Sequence, residues 1–532
     1  MHEIITVQLG QRANYLATHF WNTQESYFTY SDNDLSPINH DIHFRPGLTP
    51  DGQETFMPRT VIYDLKGAFG SLRKINALYQ LEGDDDPTQI SQTSNLWSAG
   101  KTVIQKSEPI SPSPYTTALD MGVTPPALTS GSVKYFGDFS RVYYHPRSIV
   151  QLNEYETNSS VMPFERFDAG EELFRELDRE HDLLDRDLRF FLEEADSMQG
   201  LQFFTGIDDA WGGFASRMTE RVRDEIGGKT GVWVWGLEGN KTGLMRDKRR
   251  LMLGNKARAL SELYKQDSIV VPLAVPDRLP RGVKVDMGSL WQTTAVLAAA
   301  VESSLLATRL RDTSKRETLG SLADTLNAMG GQRVAGLQMG IEKVEEEDDE
   351  GEEKNGRRGK LLKKKKLTDE ELSEGVKLGI KFDPDDRLDY YSTRGRRNGD
   401  EFPRVFSQVV SSRGYDDDEE EPVEKDDRGR RMRRSEYEPV TTSWTTPLPF
   451  PILDSFPTIF RDEEDEPLRK AVNITTSLSA DSSVYKRLKS LRESTISSIA
   501  LEDRETLGND LMEMADEYHE GWSSGSDDGE DD

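Results

Sequence analysis

Residues 2–21 read HEIITVQLGQRANYLATHFW, and their pattern is the clearest indication of the fold class. The residues before Gly10 are rich in β-branched side chains and alternate imperfectly in polarity, which predicts a β-strand followed by a tight turn. After the turn, apolar residues recur at the spacing of one helix face: Ala13, Leu16, Ala17, Phe20 and Trp21. The chain therefore begins with a strand, a turn at Gly10 and a helix, the unit that opens many α/β folds.

The alternation of strands and helices continues to about residue 310. Residues 59–67 (RTVIYDLKG) form a predicted second strand that ends at Asp64, and residues 169–200 form a predicted long amphipathic helix. Further strands are predicted at LQFFTG, TGVWVWGL and SIVVPLAV, with helical patterns between them. Strands that alternate with helices favour a mostly parallel sheet flanked by helices, so the predicted fold class is α/β.

Residues 201–214 (LQFFTGIDDAWGGF) combine a strand, glycines and two aspartates at a predicted helix start, which is a typical place for a bound phosphate. Asp208 and Asp209 allow three interpretations: ligands of Mg²⁺, catalytic acids, or a cap on the following helix, and the cap is favoured. A carboxylate about 4 Å from a phosphate oxygen costs on the order of 4 kcal/mol at an effective dielectric near 20. Without a metal between them, this turn should therefore reject a nucleotide.

The composition excludes several classes of function. The chain has 532 residues, a net charge of −29 and no cysteine, which excludes disulfides, thiolate catalysis and cysteine-ligated metals. Its acidity disfavours nucleic acid as a direct partner. The seven histidines lack the spacing of a metal-ligand set, so no metal site is predicted. Glu302 interrupts the most apolar segment, residues 289–310, which is therefore predicted to be a core helix rather than a transmembrane segment.

Charge runs divide the chain into regions. Acidic blocks followed by basic blocks dominate beyond residue 340, with too few apolar residues for a core, which predicts a largely disordered segment. Short ordered pieces are expected within it near 376–382 and 404–410. The predicted regions are an α/β domain over 1–335, a charged insertion over 341–436, a C-terminal region over 437–515 that packs back on the α/β domain, and an acidic tail over 516–532.

The opening stretch resembles the start of tubulins, which share its Gly-Gln turn and the aromatic pair at the helix end. Tubulins carry Cys and Gly after that Gln, where this chain has Arg12 and Ala13. The strand at 59–67 is similar to the tubulin strand that ends Asp-Leu-Glu-Pro, with Lys66 in place of the acid. The resemblance extends to about residue 335, and the combination is similar to the misato family of divergent tubulin-like proteins, whose fungal Dml-type members the acidic insertion resembles.

The resemblance implies a function and a location. It implies a role in partitioning mitochondria and inheriting mitochondrial DNA, and a mitochondrial location, which we expect to be the outer surface, reached through a partner protein, with the cytoplasm as the alternative. The degraded phosphate loops favour a protein that is not an enzyme and has no cofactor. A GTP-binding, polymerising cytoskeletal protein is the alternative, and a factor that interacts with tubulin or its chaperonin is a weaker one.

The resemblance also defines the vestige of a nucleotide pocket, in which no residue is expected to be catalytic. In a tubulin-like fold the turns after the strands converge, so Arg12 is expected either to pair with a phosphate or to form an internal salt bridge with Asp208 or Asp209. The residues expected in the pocket are Gly10, Gln11, Arg12, Asn14, Asp64, Gly206, Asp208, Asp209, Gly212 and Gly213.

Overall fold

The computed structural model describes residues 3–29, 35–48, 54–72, 110–343, 378–384, 403–415, 439–462, 464–496 and 501–519. The helices in these ranges are α1 Gln11–Glu25, α2 Pro114–Asp120, α3 Phe167–His181, α4 Arg189–Glu194, α5 Ala210–Ile226, α6 Arg246–Gln266, α7 Leu290–Ser304, α8 Leu319–Leu326, α9 Ser483–Thr495 and α10 Leu501–Asp516. The strands are β1 Glu3–Leu9, β2 Phe44–Leu48, β3 Glu54–Pro58, β4 Thr60–Lys66, β5 Ile149–Glu156, β6 Met198–Gly206, β7 Gly231–Leu237, β8 Ile269–Leu273, β9 Gly336–Lys343, β10 Ile380–Lys381, β11 Val405–Arg413, β12 Val440–Thr446 and β13 Val472–Asp481.

A parallel sheet of six strands forms the centre of the N-terminal half, in the order β5-β4-β1-β6-β7-β8. Each neighbouring pair is parallel. Strands β1 and β7 are buried along their whole length because helices cover both faces. Helices α1 and α7 pack on one face, and α3, α5 and α6 pack on the other. The predicted α/β fold class, a mostly parallel sheet flanked by helices, is confirmed.

The sheet order brings the predicted pocket to one edge. The chain passes from β1 to β4 on one side and returns to β6 on the other, so the connections diverge between β1 and β6. Leu9 pairs with Tyr63 of β4 and with Thr205 of β6, which places Gly10, Asp64 and Gly206 side by side. Such a switch point, at the carboxyl ends of parallel strands, is the usual place for a ligand in an open α/β sheet.

A second sheet follows the parallel one. Its order is β10-β9-β13-β11-β12, with β11 and β12 parallel and the other pairs antiparallel. Its apolar residues share a core with α1 and α7, and α9 and α10 then pack on α6. This mixed sheet was not foreseen, because β11 (VFSQVVSSR) buries serines and Gln408, and such a strand has little apolar periodicity.

The second sheet also changes how the predicted regions are drawn. The boundary predicted at residue 341 falls inside β9, and β10 and β11 lie within the interval 341–436 at the two places expected to be ordered. The rest of that insertion, and the acidic tail beyond residue 519, lie outside the described residues.

The long helix predicted over 169–200 is interrupted, so the prediction of one continuous helix is wrong. Helix α3 ends at His181, Asp182 adopts a left-handed φ of 45°, and a π-helical turn leads into α4. The Asp178 carboxylate accepts a hydrogen bond from the Leu183 N–H at 3.0 Å, which stabilises the break. The π-turn aims Asp187 inward, where it accepts a hydrogen bond from the Tyr63 hydroxyl at 2.7 Å.

The apolar segment predicted as a core helix is α7, and its Glu302 is fully buried. Among the parts of the chain that the structure describes, none of the helices combines the length and the apolar character that crossing a membrane requires.

Candidate functional site

The turn at Gly10 is closed by an aromatic ring. Gly10 has a φ of 84°, a conformation that favours glycine, and it connects β1 to α1. A side chain at this position would collide with the indole ring of Trp211, the second residue of α5. The indole therefore lies where a ligand would approach the backbone of the turn.

Arg12 forms internal salt bridges with both aspartates, which is one of the two alternatives left open for it by the sequence. Its Nη2 lies 2.7 Å from Asp208 Oδ1 and 2.7 Å from Asp209 Oδ2. Its Nη1 donates a weaker hydrogen bond to the Leu237 carbonyl at 3.4 Å, at the end of β7. The guanidinium group thus connects the turn after β1 to the turns after β6 and β7, and both aspartates are its partners.

The two aspartates have different second partners. Asp209 is the N-cap of α5, because its Oδ1 accepts a hydrogen bond from the Trp211 N–H at 3.0 Å, and this confirms the predicted cap. Asp208 is buried, and its Oδ2 accepts a hydrogen bond from the Gly239 N–H at 2.7 Å. The carboxylates therefore satisfy backbone and side-chain donors that a phosphate would otherwise use.

Burial and neighbouring charges shift the pKa values of Arg12 and Asp209. Burial opposes the positive charge of Arg12, but Asp208 and Asp209 outweigh it, so the pKa of Arg12 is raised. Burial raises the pKa of Asp209 to about 6, against the lowering effect of Arg12 and with a further increase from Asp208. The guanidinium is therefore charged at every physiological pH, whereas Asp209 gains a proton in mildly acidic solution.

A second buried ion cluster lies beside the first. Glu238, just after β7, is 2.7 Å from Lys241 Nζ through Oε2 and 2.7 Å from Lys256 Nζ through Oε1. Burial alone would raise the pKa of Glu238, but the two lysines lower it. Arg12, Lys241 and Lys256, the cations of these two clusters, are thus all paired with carboxylates of the chain itself.

Asp64 is a buried carboxylate on the other side of Gly10. Its Oδ2 accepts a hydrogen bond from Asn14 Nδ2 at 2.7 Å, and its Oδ1 accepts one from the Leu65 N–H at 2.8 Å. Burial raises its pKa to about 7, although both hydrogen bonds lower it. Among the described residues, no cation forms an ion pair with this carboxylate.

A cavity of about 250 Å³ lies at this edge of the sheet. Of the predicted residues, six line it: Gly10, Gln11, Arg12, Asp64, Gly206 and Asp209. Asn14 and Asp208 lie behind this wall, through their contacts with Asp64 and Arg12. A side chain at Gly206 would approach Asp209 Oδ1 to 2.7 Å, so the turn keeps its glycine to admit the cap.

Gly212 and Gly213 do not line the cavity. They lie in the first turn of α5, and a side chain at Gly213 would collide with the Phe167 carbonyl of α3. A side chain at Gly212 would approach Ala259 Cβ of α6 to 3.0 Å. Both positions therefore need glycine so that the helices can pack closely, which the sequence pattern alone did not distinguish from a phosphate loop.

Sequence reasoning did not identify the outer wall of the cavity. Phe164 and Trp211 face each other edge to face, with ring centroids 5.2 Å apart, and Glu156 and Glu165 complete this side. Only Trp211 carried a signal in the sequence, as an aromatic residue inside a supposed phosphate loop. Glu156 is the last residue of β5, and Phe164 and Glu165 lie in the irregular backbone before α3, where periodicity gives no information.

Comparisons with known proteins agree with the fold and with the sequence resemblance. A family model described as the Misato Segment II tubulin-like domain matches residues 2–121, and one described as a Tubulin domain matches residues 125–310. The chain is 58% identical to protein dml-1 of Neurospora crassa and 42% identical to protein DML1 of Gibberella zeae, with all of each chain covered. It is 33% identical to protein dml1 of Schizosaccharomyces pombe over 59% of this chain and 67% of the relative. With a six-stranded parallel sheet and full-length relatives of this kind, the chain belongs to the misato (Dml1) family of tubulin-like proteins.

Proposed function

We propose that this protein is a non-enzymatic, tubulin-like structural or adaptor protein that acts in the partitioning of mitochondria and the inheritance of mitochondrial DNA. The biological role follows from the resemblance to the misato family. The non-enzymatic character rests on one observation, the two salt bridges that join Arg12 to Asp208 and Asp209 at the start of α5.

The salt bridges oppose nucleotide binding through both charge and space. A phosphate at the start of α5 would meet two carboxylates, and admitting it would require Arg12 to leave them in a largely buried site. The remaining cavity of about 250 Å³ is also smaller than the roughly 300–1,000 Å³ of ordinary small-molecule sites. Both features support the proposal that groups of the protein itself take the place of a nucleotide here.

GTP binding is the alternative, and one observation favours it. The cavity lies at the switch point of the sheet, beside a glycine turn that could approach a ligand closely. For GTP to enter, Arg12 would exchange its carboxylates for phosphate oxygens, or Mg²⁺ would bridge the aspartates and the phosphates.

Nucleotide detection separates the two functions. Protein purified without added nucleotide, then denatured, should release no guanine nucleotide. Release of close to one GTP or GDP per chain, lost in Arg12→Ala, would defeat the proposal.

The biological role is tested in cells. Depletion of the protein should produce cells whose mitochondria are unequally distributed and lack DNA, and expression of the wild-type chain should restore both. Normal mitochondrial DNA content after complete depletion would contradict the proposed role.

We further propose that the protein acts at the outer mitochondrial surface, held there by a partner protein of that surface or of the cytoskeleton. Externally added protease should then degrade it in intact mitochondria, and protection from the protease would contradict this location. Co-purification with tubulin or its chaperonin, in preference to mitochondrial surface proteins, would favour the weaker alternative of a tubulin-interacting factor.

A further inference from the structure

The cavity beside Gly10 has an excess of negative charge. Its lining contains one arginine, Arg12, and four carboxylates, which belong to Asp64, Glu156, Glu165 and Asp209. Arg12 is already shared between Asp209 and the deeper Asp208. The cavity therefore repels the anions that a tubulin-like site would bind.

Two of these carboxylates have no cation of their own. Glu165 is paired with Lys248, and Asp209 with Arg12. Within the described residues, neither Asp64 nor Glu156 forms an ion pair. Glu156 is exposed at the rim, but Asp64 is 1% exposed and lies at the cavity floor.

Asp64 is the buried carboxylate of this cavity that, among the described residues, has no cation as a partner. Leu65 and Asn14 each donate one hydrogen bond to it, and these neutral donors do not balance a buried charge. A buried carboxylate without a cation is costly, and proteins usually pair such a group or protonate it. A cation that enters the cavity would supply the missing partner.

The aromatic rings determine which kind of cation fits. Phe164 packs edge to face on Trp211 at 5.2 Å, and Tyr155 supports Phe164 from behind at 4.8 Å. Phe164 and Trp211 line the same cavity as the four carboxylates. Aromatic rings beside carboxylates favour ammonium and guanidinium groups through cation–π attraction, whereas a hydrated metal ion would need oxygen ligands on all sides.

We propose that this cavity binds an organic cation, an ammonium or guanidinium group, with Asp64 as its counter-ion and Phe164 and Trp211 as its aromatic wall. The proposal rests on the proposed function in one respect, that GTP does not occupy the site. The position that would bind an anion in a tubulin-like site would thus bind a cation here. The cation is either a free amine or the side chain of a lysine or arginine on a partner protein, and the recognition chemistry is the same for both.

Calorimetric titration of the full-length chain tests the proposal. The probes are n-butylammonium and ethylguanidinium for a free amine, and the N-acetyl methylamides of lysine and arginine for a side chain. Saturable binding of at least one probe, in the millimolar range or tighter, is expected, whereas n-butanol should not bind. Tighter binding of the amino-acid probes would identify a partner's side chain as the source. An absence of saturable binding by all four probes would overturn the proposal.

Variants localise the binding. Asp64→Asn should weaken it at least tenfold, and Phe164→Leu, which keeps an apolar side chain, should weaken it about fivefold. Glu156→Gln changes an exposed carboxylate at the rim and should weaken binding measurably without affecting folding, which protects the test if Asp64→Asn does not fold. Glu154→Gln, on the same strand and outside the cavity lining, is the matched control and should bind like the wild type. Equal affinities for all variants would place the binding elsewhere and overturn the proposal.

Two further titrations keep this inference separate from the proposed function. Tight binding of MgCl2 that displaces the probes and is lost in Asp64→Asn would replace the organic cation with a metal and overturn the inference. Binding of Mg·GTP would defeat the proposed function. Failure of all probes together with failure of GTP would overturn the inference alone.

Discussion

Arg12 is the residue on which the nucleotide question depends. In tubulins the corresponding position, after the Gly-Gln turn, is a cysteine, and here a guanidinium group reaches Asp208 and Asp209 at 2.7 Å each. Asp208 has a fully buried side chain, and its partners are Arg12 and the Gly239 N–H. The pair is therefore part of the folded structure rather than an adjustable surface contact.

Removing Arg12 should destabilise the protein even though no ligand is lost. Arg12→Ala leaves Asp208 buried without its cation, and we expect the free energy of unfolding to fall by about 3 kcal/mol. Adding Asp208→Asn to Arg12→Ala should restore part of the loss. Urea denaturation of both variants measures these changes in the free energy of unfolding. A loss below about 0.5 kcal/mol would show that the bridge carries no structural role.

Asp64 should make stability depend on pH. Its folded-state pKa of about 7 lies above the unfolded value near 4, so the folded form holds its proton more tightly. The stability from this group is fully present below pH 4 and is lost as the pH rises through 7. Asp64→Asn lacks this loss. From pH 5 to pH 8, its free energy of unfolding should therefore rise by about 2–4 kcal/mol relative to that of the wild type.

Urea denaturation at several pH values measures the free energy of unfolding of the wild type and of Asp64→Asn, and so checks whether their difference changes with pH. Asp247→Asn, which alters an exposed carboxylate, is the control and should keep a constant difference from the wild type. A constant difference for Asp64→Asn as well would mean that Asp64 titrates as an ordinary surface aspartate.

Some of this residue-level detail could be predicted and some could not. The sequence predicted that one of the two aspartates caps α5, and it offered the Arg12 salt bridges as one of two alternatives, because parallel strands bring the turns after β1 and β6 together. The Asp64–Asn14 hydrogen bond was not, because it depends on the rotation of α1 about its own axis. The wall formed by Phe164 depends on an irregular loop, which no local pattern determines.

At the scale of elements, the contact between α3 and α5 explains two glycines that the sequence assigned to phosphate binding or left unassigned. Side chains at Gly170 of α3 and Gly213 of α5 would collide with the backbone of the opposite helix. The helices approach so closely because both positions lack a Cβ. The glycines in GIDDAWGGF therefore serve two purposes, a turn at Gly206 and helix packing at Gly212 and Gly213.

Adding a methyl group at this contact should be costly. Gly213→Ala should lower the free energy of unfolding by about 3 kcal/mol, because the backbone of α3 must move to accept it. Gly254→Ala, in α6 with open space around it, is the matched control and should raise stability by up to about 1 kcal/mol. Thermal denaturation of the two variants checks the opposite signs, and equal shifts would contradict the close packing.

The order of strands and helices was predictable at this scale, whereas their continuity was not. Apolar and β-branched runs identified β1, β6 and β7, which are buried on both faces, and helical periodicity identified the helices that follow them. The sequence did not predict the interruption at Asp182, because specific hydrogen bonds of Asp178 and Asp187 stabilise it. Such contacts override a continuous amphipathic pattern.

At the scale of the whole molecule, Glu302 of α7 joins the helices on one face of the parallel sheet to the second sheet. It accepts hydrogen bonds from Gln24 of α1 at 3.0 Å and from Tyr27 at 3.2 Å, and it pairs with Arg309 at 2.9 Å. Arg413, the last residue of β11, reaches the same carboxylate from the second sheet and also donates to the Tyr27 hydroxyl at 2.7 Å. Burial alone would raise the pKa of Glu302, but the two arginines lower it.

Breaking this cluster should destabilise both sheets together. Glu302→Gln leaves Arg309 and Arg413 buried without an anion, and we expect a loss of about 3–5 kcal/mol in the free energy of unfolding. Lys284→Ala removes an exposed pair with Asp465 and should change stability by less than about 1 kcal/mol. Denaturation followed by tryptophan fluorescence tests this, and a loss for Glu302→Gln no larger than for Lys284→Ala would contradict the joining role.

The joining of the sheets could not be read from the sequence. Glu302 interrupts an apolar run, and this was sufficient to exclude a transmembrane segment, but its partner Arg413 lies 111 residues further along, inside a stretch dominated by charge. Long-range pairing between a core helix and a polar strand leaves no local pattern. The fold class could therefore be predicted, and the second sheet could not.

Calorimetric titration of the purified full-length protein with Mg·GTP shows whether the protein binds the nucleotide. Because Arg12 is held by Asp208 and Asp209, we expect no saturable binding at nucleotide concentrations up to about 1 mM, and no rescue by excess Mg²⁺. Micromolar binding with one GTP per chain, abolished in Arg12→Ala, would contradict the claim that the protein has replaced its nucleotide with its own carboxylates.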